Sequence, residues 1–204
     1  MFGALCAFAM ELLELKDLIT ISLDSCQQII EDNPNVILSE ADLERLLANC
    51  ISSSIREDIR NPQEDSFSVH TQISHYVDGK VHPDVRPDIL LLIESMLERD
   101  RNEFLQHRKK YKYDGPSIAV ELKYLHIGEG TSLVQKDFDK WKRKLNDESW
   151  LYVIVLLEAP LHPRKRDYYE KKEAQIYRQC NAMKDECQDD RNRVYCKVLK
   201  KIIR

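Results

Sequence analysis

The most apolar stretch of the sequence, residues 150–157 (WLYVIVLL), constrains the fold more than any other feature. A strand that is buried on one face alternates apolar and polar side chains, whereas a strand that is covered on both faces is apolar throughout. Residues 89–93 (ILLLI) form a second run of this kind. The two runs therefore predict a sheet with helices packed on both of its faces.

Amphipathic segments on either side of these runs predict the helices. In the segments 8–31 and 39–60, apolar side chains recur at three- and four-residue spacing. Ser39, followed three residues later by Asp42, is typical of the first turn of a helix. A third amphipathic helix is predicted over residues 132–145, and a very polar one over residues 168–189.

The remaining segments predict the strands and, with them, the fold class. Residues 67–75 alternate between apolar and polar side chains, and the segment 78–80 (DGK) is a turn signal. Strands are further predicted at residues 88–93, 117–125 and 150–157, and a last strand or helix end at residues 193–203. The prediction is an α/β fold with a central mixed β-sheet flanked by helices. Residues 1–38 are expected to form an N-terminal helical extension, and residues 39–204 a single domain.

Charge is distributed unevenly along the 204 residues, whose net charge is −4. Residues 1–98 contain 6 Lys and Arg against 18 Asp and Glu, whereas residues 99–204 contain 25 against 17. Such an asymmetry is a hint of a surface that faces a polyanion such as nucleic acid. The acidic N-terminal part is expected to serve a different purpose, as the interface of a homodimer or with a protein partner.

The six cysteines and the absence of long apolar runs bear on location. No two cysteines form a C-x-x-C pair, and they lie among apolar neighbours as buried thiols do, which favours a reduced, cytoplasmic protein. Neither a membrane span nor a signal peptide is expected. The spacing of Cys180, Cys187 and Cys196 fits no common ligand pattern, so a metal-cluster protein is a weak alternative.

Three charged residues stand in or beside strands that are otherwise apolar. Glu121 and Lys123 are two positions apart, so both project from the same face of their strand. Asp88 stands at the head of the preceding apolar strand, directly after Pro87. Because an unpaired buried charge is costly, we expect the three side chains to converge at one edge of the sheet.

This set of groups suits the hydrolysis of a phosphodiester. Two carboxylates, Asp88 and Glu121, and a main-chain carbonyl, that of Leu122, are hard oxygen ligands of the kind that Mg²⁺ or Mn²⁺ takes. The metal polarises a phosphate oxygen and activates a water for attack. Lys123 can hold that water, help to deprotonate it, or offset negative charge at phosphorus.

The segments Arg86-Pro87-Asp88-Ile89-Leu90-Leu91 and Ala119-Val120-Glu121-Leu122-Lys123 together resemble the signature of the PD-(D/E)XK nuclease superfamily. The resemblance covers roughly residues 39–160 and implies a restriction-endonuclease-like core. It implies that Asp88 and Glu121 bind the metal, and that Lys123 is the catalytic lysine. The sequence departs from the pattern in the long gap between Asp88 and Glu121, which holds an insertion at residues 94–116. A second Pro-Asp pair, Pro83-Asp84, lies ahead of the strand rather than at its head.

Many members of that superfamily add a glutamate from the helix before the first strand, and two residues here qualify. On a helical wheel Glu40 lies nearer the apolar stripe than Glu44, so Glu40 is the preferred metal ligand. A glutamate in the first turn of a helix also has a simpler explanation, since it interacts favourably with the helix dipole. The choice between the two stays open.

Basic residues after the motif predict contacts with nucleic acid, most simply DNA, through its phosphates. They lie on or after the helix at residues 132–145 and in the loop that follows the central strand. The predicted nucleic-acid-binding residues are Gln135, Lys136, Lys140, Arg143, Arg164 and Lys165. Gln135 and Asp137, which open the same helix, are expected to orient the site. An interleaved basic and aromatic run at residues 108–113 suits stacking on bases.

The function predicted from these residues is a magnesium-dependent endo- or exodeoxyribonuclease. The rival from another class is a catalytically inactive module on the same fold that binds nucleic acid or protein. The sequence leaves open whether the substrate is DNA or RNA, and whether cleavage is internal or terminal.

Overall fold

A computed structural model describes residues 2–58, 67–71, 76–77, 80–81, 87–93, 117–141, 149–160, 166–186 and 193–203 of the chain. The helices are α1 (Phe2–Asp32), α2 (Glu40–Asp58), α3 (Ser132–Trp141) and α4 (Arg166–Glu186), with a 3-10 turn at Pro34–Val36. The strands are β1 (Phe67–Thr71), β2 (Tyr76–Val77), β3 (Lys80–Val81), β4 (Ile89–Ile93), β5 (Ser117–Leu125), β6 (Ser149–Pro160) and β7 (Val194–Ile203).

Five of the described strands form one mixed sheet, in the order β1-β4-β5-β6-β7. β4 pairs antiparallel with β1 and β5, whereas β6 pairs parallel with β5 and β7. Parallel neighbours need a crossover connection. Here α3 follows β5 and precedes β6, and α4 follows β6 and precedes β7. β2 and β3 pair with each other in a separate two-stranded sheet.

Helices cover both faces of the five-stranded sheet. α1 and α2 pack on one face, where Leu47 and Ile51 meet side chains such as Ile154 of β6. α3 and α4 pack on the other face, where Phe138 lies in one apolar cluster with Val153. Every residue from 151 to 157 is at most 3% exposed. The predictions of a central strand at this place and of a mixed sheet flanked by helices are therefore confirmed.

α1 is packed into this core along the part whose side chains are described. Ile19, Leu23, Cys26 and Ile30 are buried in the same apolar cluster as α2. The division into an extension at residues 1–38 and a domain at 39–204 stays a prediction, but the extension shares its core with the sheet. Across the described part of the chain, no helix has the length and apolar character that crossing a bilayer requires.

The structure decides between the two alternatives predicted for the C-terminal segment, whereas several other predicted segments lie partly or wholly outside the described residues. Residues 194–203 are a strand, not a helix end, because β6 is long enough to pair with them in parallel from Leu151 to Pro160. The predicted strand at 67–75 is described to Thr71 and the predicted helix at 132–145 to Trp141. The predicted turn at 78–79, the insertion at 94–116 and the basic run within it lie outside the described residues.

Candidate metal and phosphate site

The site lies where β5 extends beyond its neighbour β4. Pairing between the two strands stops before residues 121–125 of β5. Two carboxylates take the place of β4 there. Asp88 Oδ2 accepts a hydrogen bond from the Leu122 N–H at 2.7 Å, and Glu40 Oε2 accepts one from the Tyr124 N–H at 3.2 Å. The end of the β4 ladder thus brings together carboxylates from two elements that are distant in sequence.

The Leu122 carbonyl is directed to this same gap. In a strand, the N–H and C=O of one residue point towards the same neighbouring strand. Since the Leu122 N–H is bound by Asp88, the carbonyl lies on the side of β5 where Asp88 is found. One main-chain oxygen and one carboxylate are therefore available at the same edge, as the sequence predicts.

Glu40 reaches the gap because of how α2 begins. Ser39 Oγ accepts a hydrogen bond from the Asp42 N–H at 3.2 Å, and Asp42 Oδ2 accepts one from the Ser39 N–H at 3.1 Å. This reciprocal capping confirms the predicted helix start and makes Glu40 the first residue of α2. Glu44, one turn later, acts on Asp88 through its negative charge. Glu40 hydrogen-bonds to β5 through the Tyr124 N–H.

Ser39→Ala is expected to lower the free energy of unfolding by about 1 kcal/mol, because the first turn of α2 loses the acceptor for the Asp42 N–H. Chemical denaturation followed by circular dichroism measures the change. Ser25→Ala is the matched control, since Ser25 Oγ donates to the Ile21 carbonyl within α1, where a serine gives no capping. An equal loss in both variants would contradict the capping role.

Glu121 is held from the opposite side by α3. Its Oε1 accepts hydrogen bonds from Lys140 Nζ at 2.7 Å and from the Trp141 indole Nε1 at 2.8 Å. The Glu121 residue is 3% exposed and Trp141 is fully buried. The predicted ligand Glu121 is thus fixed in orientation by two donors that the sequence did not assign to it.

Both carboxyl groups of the predicted pair have raised pKa values. Burial raises the pKa of Asp88 to about 6, assisted by the charge of Glu40 and opposed by the Leu122 hydrogen bond. Burial likewise raises the pKa of Glu121 to about 7, although Lys140 opposes it, and the charge of Asp88 adds to the increase. The negative charge of Asp88 therefore acts on Glu121, and burial is the largest cause of the raised pKa of both groups. Such perturbed carboxyl groups are characteristic of functional sites.

Lys123 lies between two carboxylates. Its Nζ is 3.3 Å from Glu40 Oε2 and 3.3 Å from Asp137 Oδ2. Burial disfavours its charged form, but Asp137 and Glu40 together outweigh burial and leave the pKa of Lys123 above its usual value. Lys123 is therefore an ammonium at neutral pH. This geometry favours holding a water or a phosphate oxygen over removing a proton.

Asp137 is fixed in turn by this lysine. Burial raises the pKa of the Asp137 carboxyl, with the positive charge of Lys123 acting against it. The ion pair of Asp137 with Lys123 agrees with its expected role in orienting the site. Asp137, Lys140 and Trp141 lie three and four positions apart on α3, so they share one face of the helix. That spacing is the sequence signal by which Lys140 and Trp141 could have been assigned to the site.

The predicted nucleic-acid-binding residues lie either on α3 or outside the described residues. Gln135 donates a hydrogen bond to Asp139 one turn later on α3, at 2.9 Å, and Lys136 is exposed on the same helix. Arg143, Arg164 and Lys165 lie outside the described residues. Lys140, which the sequence assigned to phosphate contact, forms an ion pair with Glu121, and its contact with phosphate stays a prediction.

Among the described residues, no three His, Cys, Asp or Glu side chains are arranged to hold a metal ion by themselves. Mg²⁺ does not require such an arrangement, because it keeps several waters and is commonly bound through one or two carboxylates together with substrate phosphates. Of the C-terminal cysteines, Cys180 is buried on α4 and Cys196 is half-buried on β7, while Cys187 lies outside the described residues. The described cysteines thus have the burial of packed thiols.

Comparisons with known proteins give no family for this chain. No protein-family model matches it, and neither the curated proteins nor the solved structures include a significant match. The superfamily resemblance of the motif therefore stays a prediction, and the functional argument depends on the geometry of the site.

Proposed function

We propose that this protein is a metal-dependent nuclease of the PD-(D/E)XK type that hydrolyses phosphodiester bonds of nucleic acid, in the first instance DNA. One observation carries the proposal. Asp88 accepts a hydrogen bond from β5 midway between Glu121 and Lys123, and the pKa values of both carboxyl groups are raised. The mixed sheet between two helical layers is compatible with the restriction-endonuclease-like core that the motif implies.

The donor set fits a divalent cation. Asp88 and Glu121 would supply carboxylate oxygens and the Leu122 carbonyl faces the gap beside Asp88, while Glu40, on the N–H of Tyr124, does not complete a three-carboxylate site with them in the described residues. All of these are hard oxygen donors, which suit Mg²⁺ or Mn²⁺ rather than soft metals. When bound, the cation would polarise a phosphate oxygen and increase the acidity of water near it.

The residues of the chain have distinct tasks in this scheme. Lys123 is the donor that holds the attacking water and offsets the charge that develops on the phosphate. Glu40 and Asp137 keep its ammonium in place from two sides. Trp141, through its indole N–H, fixes the orientation of Glu121. Positioning of this kind accounts for much of the catalysis of phosphate transfer, because the groups require little rearrangement during the reaction.

A polyanionic substrate agrees with the charges on the C-terminal half of the chain. α3 carries the exposed Lys136 one turn before Lys140, which borders the carboxylates. Contacts of lysine with phosphates give affinity that falls with salt and does not depend on base sequence. The proposed substrate class is therefore defined by its phosphodiester backbone.

The proposal is tested by incubating supercoiled plasmid and labelled single- and double-stranded oligonucleotides with the protein in Mg²⁺, in Mn²⁺ and in EDTA. Wild type is expected to cut in either metal and not in EDTA, and Asp88→Ala and Lys123→Ala to lose the cutting. Asp24→Asn and Lys197→Ala are the controls. Asp24 on α1 and Lys197 on β7 also form an ion pair of an aspartate with a lysine, 3.6 Å apart, but both side chains are exposed and lie outside the site. Tight binding without cutting in any metal would reject the enzyme and favour the inactive nucleic-acid-binding module.

A further inference from the structure

Lys140 occupies an unusual position for a residue expected to contact phosphates. Its Nζ lies 2.7 Å from Glu121 Oε1, and its side chain is 25% exposed while that of Glu121 is 5% exposed. Its positive charge also lowers the pKa of Asp88 and of Asp137. Lys140 is thus the nearby cation for several carboxylates of the site at once, which is the position that a bound metal would also require.

The two side chains that donate hydrogen bonds to Glu121 Oε1, those of Trp141 and Lys140, differ in burial and therefore in how easily they can move away from it. Trp141 is fully buried within the apolar cluster between α3 and the sheet. Lys140 has a partly exposed, four-carbon side chain with several rotatable bonds, and lysine ammonium groups are readily hydrated. If a cation is to approach Glu121, Lys140 is therefore the donor that can move, and Trp141 the one that remains.

We infer that Lys140 is the internal counter-ion of the metal-free site, that a divalent cation displaces it from Glu121, and that the released ammonium then binds a phosphate of the substrate. The inference rests on the proposed function, since it assigns a task at the same site. It accounts for both observations on Lys140, its place one turn after the exposed Lys136 on α3 and its ion pair with Glu121. Lys140 is therefore a positioning residue that binds Glu121 before the cation arrives and a substrate phosphate afterwards.

A coupling between two ligands follows from this exchange. The cation must break the Lys140–Glu121 pair, so the pair weakens cation binding. Once the cation is bound, Lys140 is available to the phosphate, so the cation strengthens nucleic-acid binding. Linkage requires the reverse as well, with nucleic acid increasing the affinity for the cation.

The test compares Lys140→Met with wild type in two titrations of the full chain. Calorimetry with MgCl₂ or CaCl₂ alone is expected to show about 5- to 10-fold tighter cation binding in the variant, because a competing positive charge is removed. Fluorescence anisotropy with a labelled DNA duplex is expected to show that Ca²⁺ increases DNA affinity in wild type and much less in the variant. Calorimetry at both pH 7 and pH 9 separates a change in Glu121 protonation from a change in cation affinity.

Lys136→Met is the matched control, because Lys136 lies one turn earlier on α3 and is exposed. It is expected to weaken duplex binding equally with and without Ca²⁺, and to leave cation affinity unchanged. Lys140→Gln, which keeps a hydrogen-bond donor for Glu121, is the second variant should Lys140→Met fold poorly. It is expected to change both titrations in the same direction.

Two negative outcomes are distinguishable. If wild type binds the cation and cuts nucleic acid, but Lys140→Met binds the cation no more tightly at either pH, the exchange is wrong and the proposed nuclease stands. If neither wild type nor either Lys140 variant binds a divalent cation at millimolar concentration, the proposed function and the exchange are both rejected. Cation binding that appears in Lys140→Met but not in wild type would support the exchange strongly.

Discussion

Asp88→Asn is expected to lower the rate of cleavage strongly and, in the absence of metal, to make the folded protein more stable at pH 8. The pKa of Asp88 is raised from 3.8 to about 6 because the carboxyl group is largely buried. The folded state therefore binds this proton more tightly than the unfolded state does. The stability that the protonated group contributes is complete below pH 3.8 and is lost as the pH rises through about 6.

Asparagine at position 88 avoids the loss of stability at high pH and keeps the hydrogen bond with the Leu122 N–H. Its side-chain carbonyl can still accept from the Leu122 N–H, and it carries no charge at any pH. A single pKa unit corresponds to about 1.4 kcal/mol, so the gain above pH 6 is expected to be on the order of 1–3 kcal/mol and to vanish near pH 3. Urea denaturation at several pH values in EDTA measures the difference.

The same substitution is expected to cost activity and the response to metal. Loss of a group that stabilises charge at the reacting phosphate typically lowers the rate on the order of 10²–10³-fold. Mg²⁺ at about 100 times its Kd would stabilise wild type by about 2.7 kcal/mol, and Asp88→Asn far less. Asp24→Asn, exposed on α1, should change neither property. A variant that is both less stable at pH 8 and still responsive to Mg²⁺ would show that Asp88 is an ordinary structural carboxylate.

The residues that the sequence placed in the site were found by local patterns. Glu121 and Lys123 stand out because a period-two strand puts them on one face among apolar neighbours. Asp88 is marked by its position at the head of an apolar strand. The structure brings these three together because β4 and β5 pair in antiparallel register and β4 begins at that point, with Ile89 opposite Val120. The pairing of two strands that follow one another along the chain can be anticipated by such reasoning, even across a long insertion.

The partners of those residues could not be identified in the same way. Lys140 and Trp141 bond Glu121 because α3 crosses back over β5, and the distance and angle of that crossing are set by packing of Phe138 and its neighbours. The sequence shows that one face of this helix is buried, but not which strand residue lies under each turn. Lys140 was therefore assigned to solvent and phosphate.

Lys201 was missed for a related reason. It is 6% exposed in β7, and its Nζ lies 2.7 Å from the Ile37 carbonyl and 3.3 Å from Glu158 Oε1. It also donates to the Tyr124 hydroxyl. The pairing of Lys201 with Glu158 depends on the register of β6 against β7, which hydropathy alone does not set. In a segment whose charged residues are all basic, from Arg191 to Arg204, this buried lysine was indistinguishable from an exposed one.

Lys201→Met is expected to destabilise the protein by about 3 kcal/mol, because Glu158 loses the lysine of its buried ion pair but keeps the hydrogen bonds that it accepts from the Tyr124 hydroxyl and the Ile127 N–H. Glu158, with 10% of its side chain exposed, would lose its ammonium partner, and the Ile37 carbonyl its donor. Urea denaturation at pH 7 measures the loss. Lys200→Met is the matched control, since the neighbouring lysine is 49% exposed and pairs with Glu173 at 3.6 Å. Its removal should cost less than about 1 kcal/mol.

A second effect of Lys201→Met distinguishes a general loss of stability from a loss at the site. Lys201 links the Ile37 carbonyl, three residues before Glu40, to the ring of Tyr124, whose N–H bonds Glu40. The variant should therefore bind Mg²⁺ more weakly at temperatures where it is still folded. Adding Glu158→Gln removes the carboxylate charge that Lys201 no longer balances. The double variant should therefore recover part of the stability but not the metal affinity. If the double variant is no more stable than Lys201→Met, the ion pair does not account for the loss, and the apolar packing around Tyr124 becomes the better explanation.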